Sequence, residues 1–208
     1  MGRFYDLTLE LKEDIIVYPG DPNFEMEDIC SISLGDSYNI SSISMGTHTG
    51  THIDAPKHFY NESKTIDKIS IDRLIGKVKV LDMGNLKEIS KQDIEDFNIE
   101  EGDRIFFKTN NSKLLKNNIY SEDFVALTKE AAEYLVDKKV YTIGIDYLSI
   151  EKNNSEFNDV HLLLLEKDIV IVEGINLSDV EQGIYNFAAL PLKIKDGDGA
   201  PARVVLWE

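Results

Sequence analysis

The stretch His48-Thr49-Gly50-Thr51-His52-Ile53-Asp54-Ala55-Pro56-Lys57-His58 dominates this sequence, because it holds three of the four histidines in 208 residues. Imidazole and carboxylate groups are the usual protein ligands of zinc and manganese. With histidine so scarce elsewhere, the cluster indicates a metal site rather than surface or core histidines gathered by chance. A catalytic site is favoured over a structural one, because structural zinc is usually enclosed by four ligands, often cysteines.

The spacing within this stretch predicts its local conformation. His48 and His52 are four residues apart, as in a helical metal motif, but the surrounding glycines, threonines and proline disfavour a helix. In an extended chain His48, His52, Asp54 and His58 would all point to one side. A rise of about 3.3 Å per residue would nevertheless separate His48 from His52 by roughly 13 Å, too far for one ion. We therefore predict a tight loop, hinged at Gly50, that leads into a short strand.

Composition limits the partners and compartment of the protein. A net charge of −16 argues against nucleic acid and anionic membranes as partners, since both require a basic footprint. No apolar run approaches the roughly 20 residues that span a bilayer, and the first residues do not resemble a signal peptide, so we expect a cytoplasmic protein. The single cysteine, Cys30, excludes an intramolecular disulfide, and its strand-like neighbours predict a buried, inert thiol.

Strand-like runs outnumber helical ones and do not alternate regularly with them. This order predicts a mixed α/β (α+β) fold, with a mainly β core flanked by helices, as a single domain over residues 1–208. Helices are expected near Ser90 (Lys91 to Asp96), near Thr128 (Lys129 to Asp137) and from Asn158 to Leu165. The expected strands are Phe4 to Leu11, Asp14 to Tyr18, Lys77 to Asp82, Arg104 to Lys108, Val140 to Ile145, Ile169 to Glu173 and Ala202 to Trp207.

The pattern H-x-G-T-H-x-D-x-P-x-H from His48 to His58 resembles the signature of the cyclase family of metal-dependent hydrolases, which includes the bacterial kynurenine formamidases. Weaker similarities extend over nearly the full chain. They comprise Tyr18-Pro19-Gly20-Asp21-Pro22, Gly144-Ile145-Asp146, Asp159 with His161, Ile171-Val172-Glu173-Gly174, Pro191-Leu192-Lys193-Ile194 and Asp198-Gly199 through Arg203.

The resemblance implies that His48, His52 and Asp54 bind one metal ion. Asp54 would bridge to a second ion held by His161 and Glu173. The residues alone support Glu173, since a carboxylate at the end of an apolar strand is costly to bury without a partner. They do not single out His161, because a lone histidine on a predicted helix is usually structural.

The resemblance also implies a catalytic role for His58 and a choice of metals. His58 would transfer a proton beside a metal-activated water that attacks an amide. Relatives resembling isatin hydrolases carry Gln in place of Glu173 and hold one manganese. Glu173 therefore predicts two divalent ions, zinc rather than manganese.

The substrate is less well determined than the chemistry. An arylformamide such as N-formylkynurenine is implied, but the kynurenine formamidases often carry Trp where this chain has Tyr18, the expected substrate-binding residue. Hydrolysis of another cyclic amide, ester or lactone is the alternative, and a non-catalytic metal-binding member of the family is a second. The expected partners are a small-molecule substrate and further copies of the chain, in a dimer or larger homo-oligomer.

Overall fold

The computed structural model describes residues 2–152 and 157–208. The strands in these ranges are β1 (Phe4–Asp6), β2 (Glu25–Cys30), β3 (Ile40–Ser44), β4 (His52–Asp54), β5 (Ile75–Asp82), β6 (Arg104–Lys108), β7 (Thr142–Ile145), β8 (Val170–Glu173), β9 (Gly183–Pro191) and β10 (Gly199–Trp207). The helices are α1 (Ile71–Leu74), α2 (Lys91–Ile94), α3 (Asn111–Lys116), α4 (Lys129–Asp137) and α5 (Asp159–Glu166).

The main sheet closes into a barrel. Its order is β1-β10-β4-β8-β7-β6-β5-β9, and β9 also pairs with β10. Strands β5 to β8 run parallel to one another, whereas the other pairings are antiparallel. Parallel neighbours need long crossovers, and helices α2 to α5 lie within those crossovers. The predicted mixed α/β fold, with a β core and flanking helices, is confirmed.

The parallel strands are apolar on both faces because each face is covered. Phe106 points into the barrel, where it meets the ring of Phe187. Its neighbours Ile105 and Phe107 belong to a second core that includes Leu135 of α4 and Leu164 of α5. These continuous apolar runs made the strands recognisable in the sequence.

Several predicted elements are confirmed, with shifted ends. Strands occupy most of the predicted runs 77–82, 104–108, 140–145, 169–173 and 202–207, and all three predicted helices form. Thr128 caps α4 as expected, its hydroxyl accepting a hydrogen bond from the Ala131 amide.

Near the N-terminus one predicted strand does not form and another is shorter than predicted. Residues 14–18 form no strand, because the Ile16 amide donates to the Asn118 side chain instead of a neighbouring strand. Strand β1 covers only Phe4–Asp6 of the predicted run that ends at Leu11. Further along that run the Leu9 amide donates to the Thr51 hydroxyl, a side-chain partner that ends regular pairing.

Strands β2 and β3 form a two-stranded sheet separate from the barrel, which we call the ribbon (residues 25–44). Cys30 lies on a strand as predicted, but the prediction of a buried thiol was wrong, since Cys30 is only half-buried. The ribbon exposes large apolar side chains, namely Met26, Ile29, Ile32, Leu34, Tyr38, Ile40 and Ile43. Among the described residues no helix combines the length and apolarity needed to cross a membrane.

Candidate metal centre

The histidine-rich stretch forms a tight turn followed by β4. Gly50 adopts a φ of +68°, a left-handed conformation that favours glycine. The bend brings the ring centroids of His48 and His52 to 5.0 Å from each other. The predicted loop hinged at Gly50 and leading into a short strand is therefore confirmed. The Thr51 hydroxyl anchors the turn by donating a 2.5 Å hydrogen bond to the Gly174 carbonyl, just beyond β8.

Pairing of β4 with β8 builds the base of the site. His52 lies opposite Glu173 in the antiparallel register, with Nε2 and Oε2 3.3 Å apart. Asp54, two residues further along β4, places Oδ1 3.4 Å from the same imidazole nitrogen. Helix α5 supplies His161, whose Nε2 lies 3.4 Å from Glu173 Oε1 and 3.9 Å from Asp54 Oδ2. All four side chains are buried.

Hydrogen bonds orient the rings of His52 and His161. Nδ1 of His52 faces the Gly50 carbonyl oxygen at 2.9 Å, so this nitrogen is the donor. Nδ1 of His161 lies 2.8 Å from Glu151 Oε2. When each Nδ1 carries the donated proton, Nε2 is directed toward the carboxylates of Asp54 and Glu173. Metal-ligating histidines characteristically have this arrangement.

Two buried polar atoms at this position have no hydrogen-bond partner among the described residues: His52 Nε2 and Asp54 Oδ2. Burying such groups unpaired is costly. Coordination of a cation would satisfy both, and imidazole with carboxylate is a donor set suited to zinc or manganese. The described residues therefore fit a divalent metal.

His48 and His58 form the outer side of the site. His48 Nδ1 lies 2.8 Å from Asp54 Oδ1, and its Nε2 lies 3.3 Å from Asp198 Oδ2. The ring of His58 stacks on that of His48 with centroids 3.9 Å apart. His58 is exposed, at the end of a 3-10 turn that begins at Pro56.

The ligand atoms form two compact groups, His52–Asp54–Glu173 and His48–Asp54–His58, in each of which the atoms lie within 4.8 Å of one another. Asp54 belongs to both groups, a position suited to a bridging ligand. The grouping differs from the one implied by the resemblance, which joins His48 to His52 and leaves His58 outside the metal ligands. The assignment of individual ligands stays a prediction.

The site has a strongly negative electrostatic character. Burial by itself lowers the pKa of His52, but the Asp54 and Glu173 carboxylates outweigh it and raise that pKa to about 10. His161 follows the same pattern, with Glu151 and Glu173 raising its pKa to about 10 against the effect of burial. Burial also opposes ionisation of Asp54, yet the neighbouring imidazoles, His48 foremost, hold its pKa well below the ordinary value. The raised imidazole pKa values reflect carboxylates that favour a cation between them.

A cavity of about 260 Å³ opens above these groups. Tyr18 and Phe59 line it, and Phe59 stacks on the His161 ring with centroids 4.9 Å apart. Burial raises the pKa of the Tyr18 phenol to about 12, which keeps it a neutral hydrogen-bond donor. Partial desolvation lowers the pKa of His58, also in the lining, and favours a neutral ring able to accept a proton.

Comparison with known proteins agrees with the signature in the turn. The family model described as "putative cyclase" matches residues 5–152. The chain belongs to the cyclase family. It is 34% identical to a kynurenine formamidase from Bacillus cereus and 33% identical to one from Bacillus anthracis, each over 99% of this chain and 97% of the relative. The predicted family resemblance is thereby confirmed.

Solved structures of similar proteins share the cyclase-family fold over the full chain. One, described as a potential metal-dependent hydrolase with cyclase activity, is 36% identical, with a TM-score of 0.87 over 100% of this chain and 98% of the other. Isatin hydrolase A from Labrenzia aggregata, solved with benzyl benzoate, is 26% identical, with a TM-score of 0.85 over 99% of this chain and 93% of the other.

Sequence reasoning missed two carboxylates that contact the candidate ligands, Glu151 and Asp198. Asp198 stood in a recognisable turn, Asp196-Gly-Asp-Gly199, but only the pairing of β10 with β4 brings it to His48. Glu151 carries no local motif. Asp146, which belongs to one of the weaker family similarities, does not join the site, because its carboxylate accepts hydrogen bonds from the backbone amides and hydroxyls of Thr109 and Ser112.

Proposed function

We propose that the protein is a metal-dependent hydrolase that cleaves the C–N bond of an arylformamide, with N-formylkynurenine as its substrate. The observation that carries the proposal is the pair of buried ligand atoms that make no hydrogen bond to a described residue, His52 Nε2 and Asp54 Oδ2, beside a cavity lined by Tyr18 and Phe59. The kynurenine formamidases among its relatives support the choice of substrate.

We assign two divalent metal ions to the site, zinc in preference to manganese. His48, His52 and Asp54 would hold one ion, while Asp54, His161 and Glu173 would hold the other. A bound divalent metal supplies an activated water for attack and polarises the substrate carbonyl. The negative field of the carboxylates supports this assignment, because it favours bound cations.

The protein's own side chains would position the substrate and move the proton. His58 lines the cavity beside the ligand groups, where its imidazole would accept a proton from the attacking water and return it to the nitrogen of the departing aryl amine. Phe59 and Tyr18 flank the cavity and suit an aromatic ring. Tyr18 would thereby replace the tryptophan common in relatives.

A panel of three substrates tests the proposal with purified, metal-loaded protein: N-formylkynurenine, isatin and phenyl acetate. We expect the highest kcat/KM with N-formylkynurenine, measured as formate release and compared with isatinate formation from isatin and phenol release from phenyl acetate. Preferred turnover of isatin, a cyclic amide, or of phenyl acetate would select the alternative substrate class. Absence of turnover on all three would support the non-catalytic alternative and contradict the proposal.

We also propose that two copies associate through the ribbon. Its exposed apolar side chains are accompanied by the acidic residues Glu25, Glu27 and Asp28. Residues 190–195 offer a complementary surface, since Leu190, Leu192 and Ile194 are exposed there and alternate with Lys193 and Lys195. Apolar surface with matched charge suits a reciprocal contact between two copies. The cytoplasmic location and the single domain over residues 1–208 stay predictions.

A further inference from the structure

The rim of the cavity carries two charged side chains of opposite sign, Asp21 and Lys152. The Asp21 carboxylate and the Lys152 ammonium make no side-chain hydrogen bond or ion pair to another described residue. The other charged or titratable groups of the lining are the candidate metal ligands, His58, Tyr18 and Glu151. Asp21 and Lys152 are therefore available to a ligand.

We infer that this pair recognises the zwitterionic amino-acid group of the substrate, an inference that rests on the proposed function. N-formylkynurenine bears an α-ammonium and an α-carboxylate at the end of the chain opposite its formamide. With the formamide at the metal ligands, that end would extend toward Asp21 and Lys152, which line the same cavity. Asp21 would accept hydrogen bonds from the ammonium, and Lys152 would donate to the carboxylate.

The inference is tested by removing the amino-acid group from the substrate and, separately, by removing each of the two charges from the protein. Asp21→Asn and Lys152→Met each remove one charge, and 2-formamidoacetophenone keeps the aryl formamide and ketone while lacking the amino-acid group. We expect each variant to raise KM for N-formylkynurenine about tenfold, with the kinetics of 2-formamidoacetophenone unchanged. Lys87→Met, at an exposed position outside the cavity, is the control and should alter neither substrate.

The outcomes separate this inference from the proposed function. If wild-type protein cleaves neither formamide, the proposed function fails. If it cleaves both and the two variants affect them equally, or affect neither, then the hydrolase stands and zwitterion recognition is overturned. Metal content measured in each variant should equal that of wild type, since neither residue is a candidate ligand.

A different observation concerns Glu151, whose carboxylate is buried among the groups that hold His161. Oε2 accepts from the His161 backbone amide at 3.1 Å and lies 2.8 Å from Nδ1 of the same residue. Oε1 accepts from the Val160 amide at 3.2 Å. Both amides belong to the first turn of α5, where the N-cap residue Asn158 makes no side-chain cap hydrogen bond. One carboxylate thus caps the helix and orients the ring.

The geometry points to Glu151 as a positioning residue for the metal centre. By accepting the Nδ1 proton, it leaves Nε2 of His161 as the nitrogen that faces Asp54 and Glu173. An amide in its place can present an N–H to the ring, which would favour the opposite tautomer and block coordination through Nε2. Glu151 would act through His161 without contacting the substrate.

Metal affinity in Glu151→Gln tests this role separately from turnover. We expect zinc affinity, measured by competition with a chelator, to fall about 10- to 100-fold. Thr128→Ala, which removes the cap hydrogen bond to Ala131 and no hydrogen bond to a candidate ligand, is the matched control and should lower the melting temperature while leaving zinc affinity unchanged. Wild-type zinc affinity in Glu151→Gln would overturn the assignment.

A measurement on wild-type protein keeps the inference testable if that variant does not fold. With only four histidines, the ring-nitrogen NMR spectrum of the zinc-loaded protein is simple to assign. We expect His161 to carry its proton on Nδ1. A proton on Nε2 instead would contradict the positioning role.

Discussion

At the scale of single residues, the position of His58 is compatible with two chemical roles, proton transfer and metal ligation. The sequence resemblance makes it a proton-transfer residue, whereas its ring nitrogen also lies within 4.8 Å of ligand atoms of His48 and Asp54. Its exposure and lowered pKa suit a proton acceptor. The two roles predict different losses when the imidazole is removed: activity alone for a proton-transfer residue, and bound metal as well as activity for a ligand.

His58→Ala should abolish turnover, with a drop in kcat of about 10²- to 10⁴-fold, while leaving metal content near that of wild type. Metal content is measured by elemental analysis after extensive dialysis, alongside formate release. Loss of metal together with activity would identify His58 as a ligand.

Substitution of Glu173 tests how many metal ions the site holds. It contacts both His52 and His161, and its Oε1 also accepts from the Ile150 amide at 2.7 Å. Gln preserves its size but not its charge. We expect Glu173→Gln to reduce the metal load from two ions toward one, as determined by elemental analysis.

Glu181→Gln, at an exposed position, provides the matched control for this change and should retain two ions. Unchanged stoichiometry in Glu173→Gln would remove Glu173 from the metal ligands.

Sequence reasoning worked at the residue scale where side-chain chemistry is local. The His48–His58 stretch predicted its own bend, because alternation and chain rise left Gly50 as the hinge. Glu151 could not be found in the same way, since its role depends on α5 being placed against it. The N-terminal run through Ile16 was mispredicted because its amide is satisfied by a distant side chain.

At the scale of elements, the site depends on close contact between the turn before β4 and the end of β8. Gly174 has a φ of +68°, and a Cβ added there would fall on the Gly50 carbonyl oxygen. That carbonyl also accepts from His52 Nδ1, so displacing it disturbs a candidate ligand. The contact couples backbone packing to metal geometry.

Gly174→Ala should therefore lower both the free energy of unfolding, by at least about 3 kcal/mol, and zinc affinity. Gly84→Ala is the matched control, since Gly84 also has a positive φ of +57° but nothing within 4 Å of an added Cβ. It should cost about 1–2 kcal/mol and leave metal binding intact. Urea unfolding and chelator competition measure the two effects, and equal losses in both variants would contradict the coupling.

Strands were predictable from the sequence where burial imposes a recognisable pattern of apolar residues. Strands β6 and β8 are buried on both faces and read as apolar runs. Strand β9 was missed as a strand, because its apolar side chains do not follow its alternating burial: Ile184 and Leu190 are exposed, whereas the small Ala189 is buried. The closure of β9 on β10 is likewise set by tertiary pairing and not by local preference.

At the scale of the whole molecule, the ribbon exposes apolar side chains that a second copy of the chain would cover in the proposed dimer. Ile43 is 56% exposed on β3 and pairs across the ribbon with Met26, which is 55% exposed. The net charge of −16 repels copies of the chain in general, so association requires a locally complementary surface. Residues 190–195 provide one.

Ile43→Glu should convert the proposed dimer to a monomer, measured by light scattering coupled to size exclusion. Ile71→Glu alters a side chain of similar exposure, 59%, on α1 and should leave the mass unchanged. A wild-type protein that is already monomeric at micromolar concentration would contradict the ribbon contact. The sequence predicted an oligomer without naming any interface residue. The exposure of Ile43 could not be predicted, because it depends on the ribbon forming a sheet separate from the barrel.

The most direct test of the account is metal-dependent release of formate from N-formylkynurenine. Purified protein is assayed before chelation, after removal of chelator and metal, and after addition of zinc or manganese. We predict turnover that disappears on metal removal and returns when the ions are restored. Turnover that persists in protein shown to be free of metal, or none after reconstitution to two ions, would contradict the proposed function.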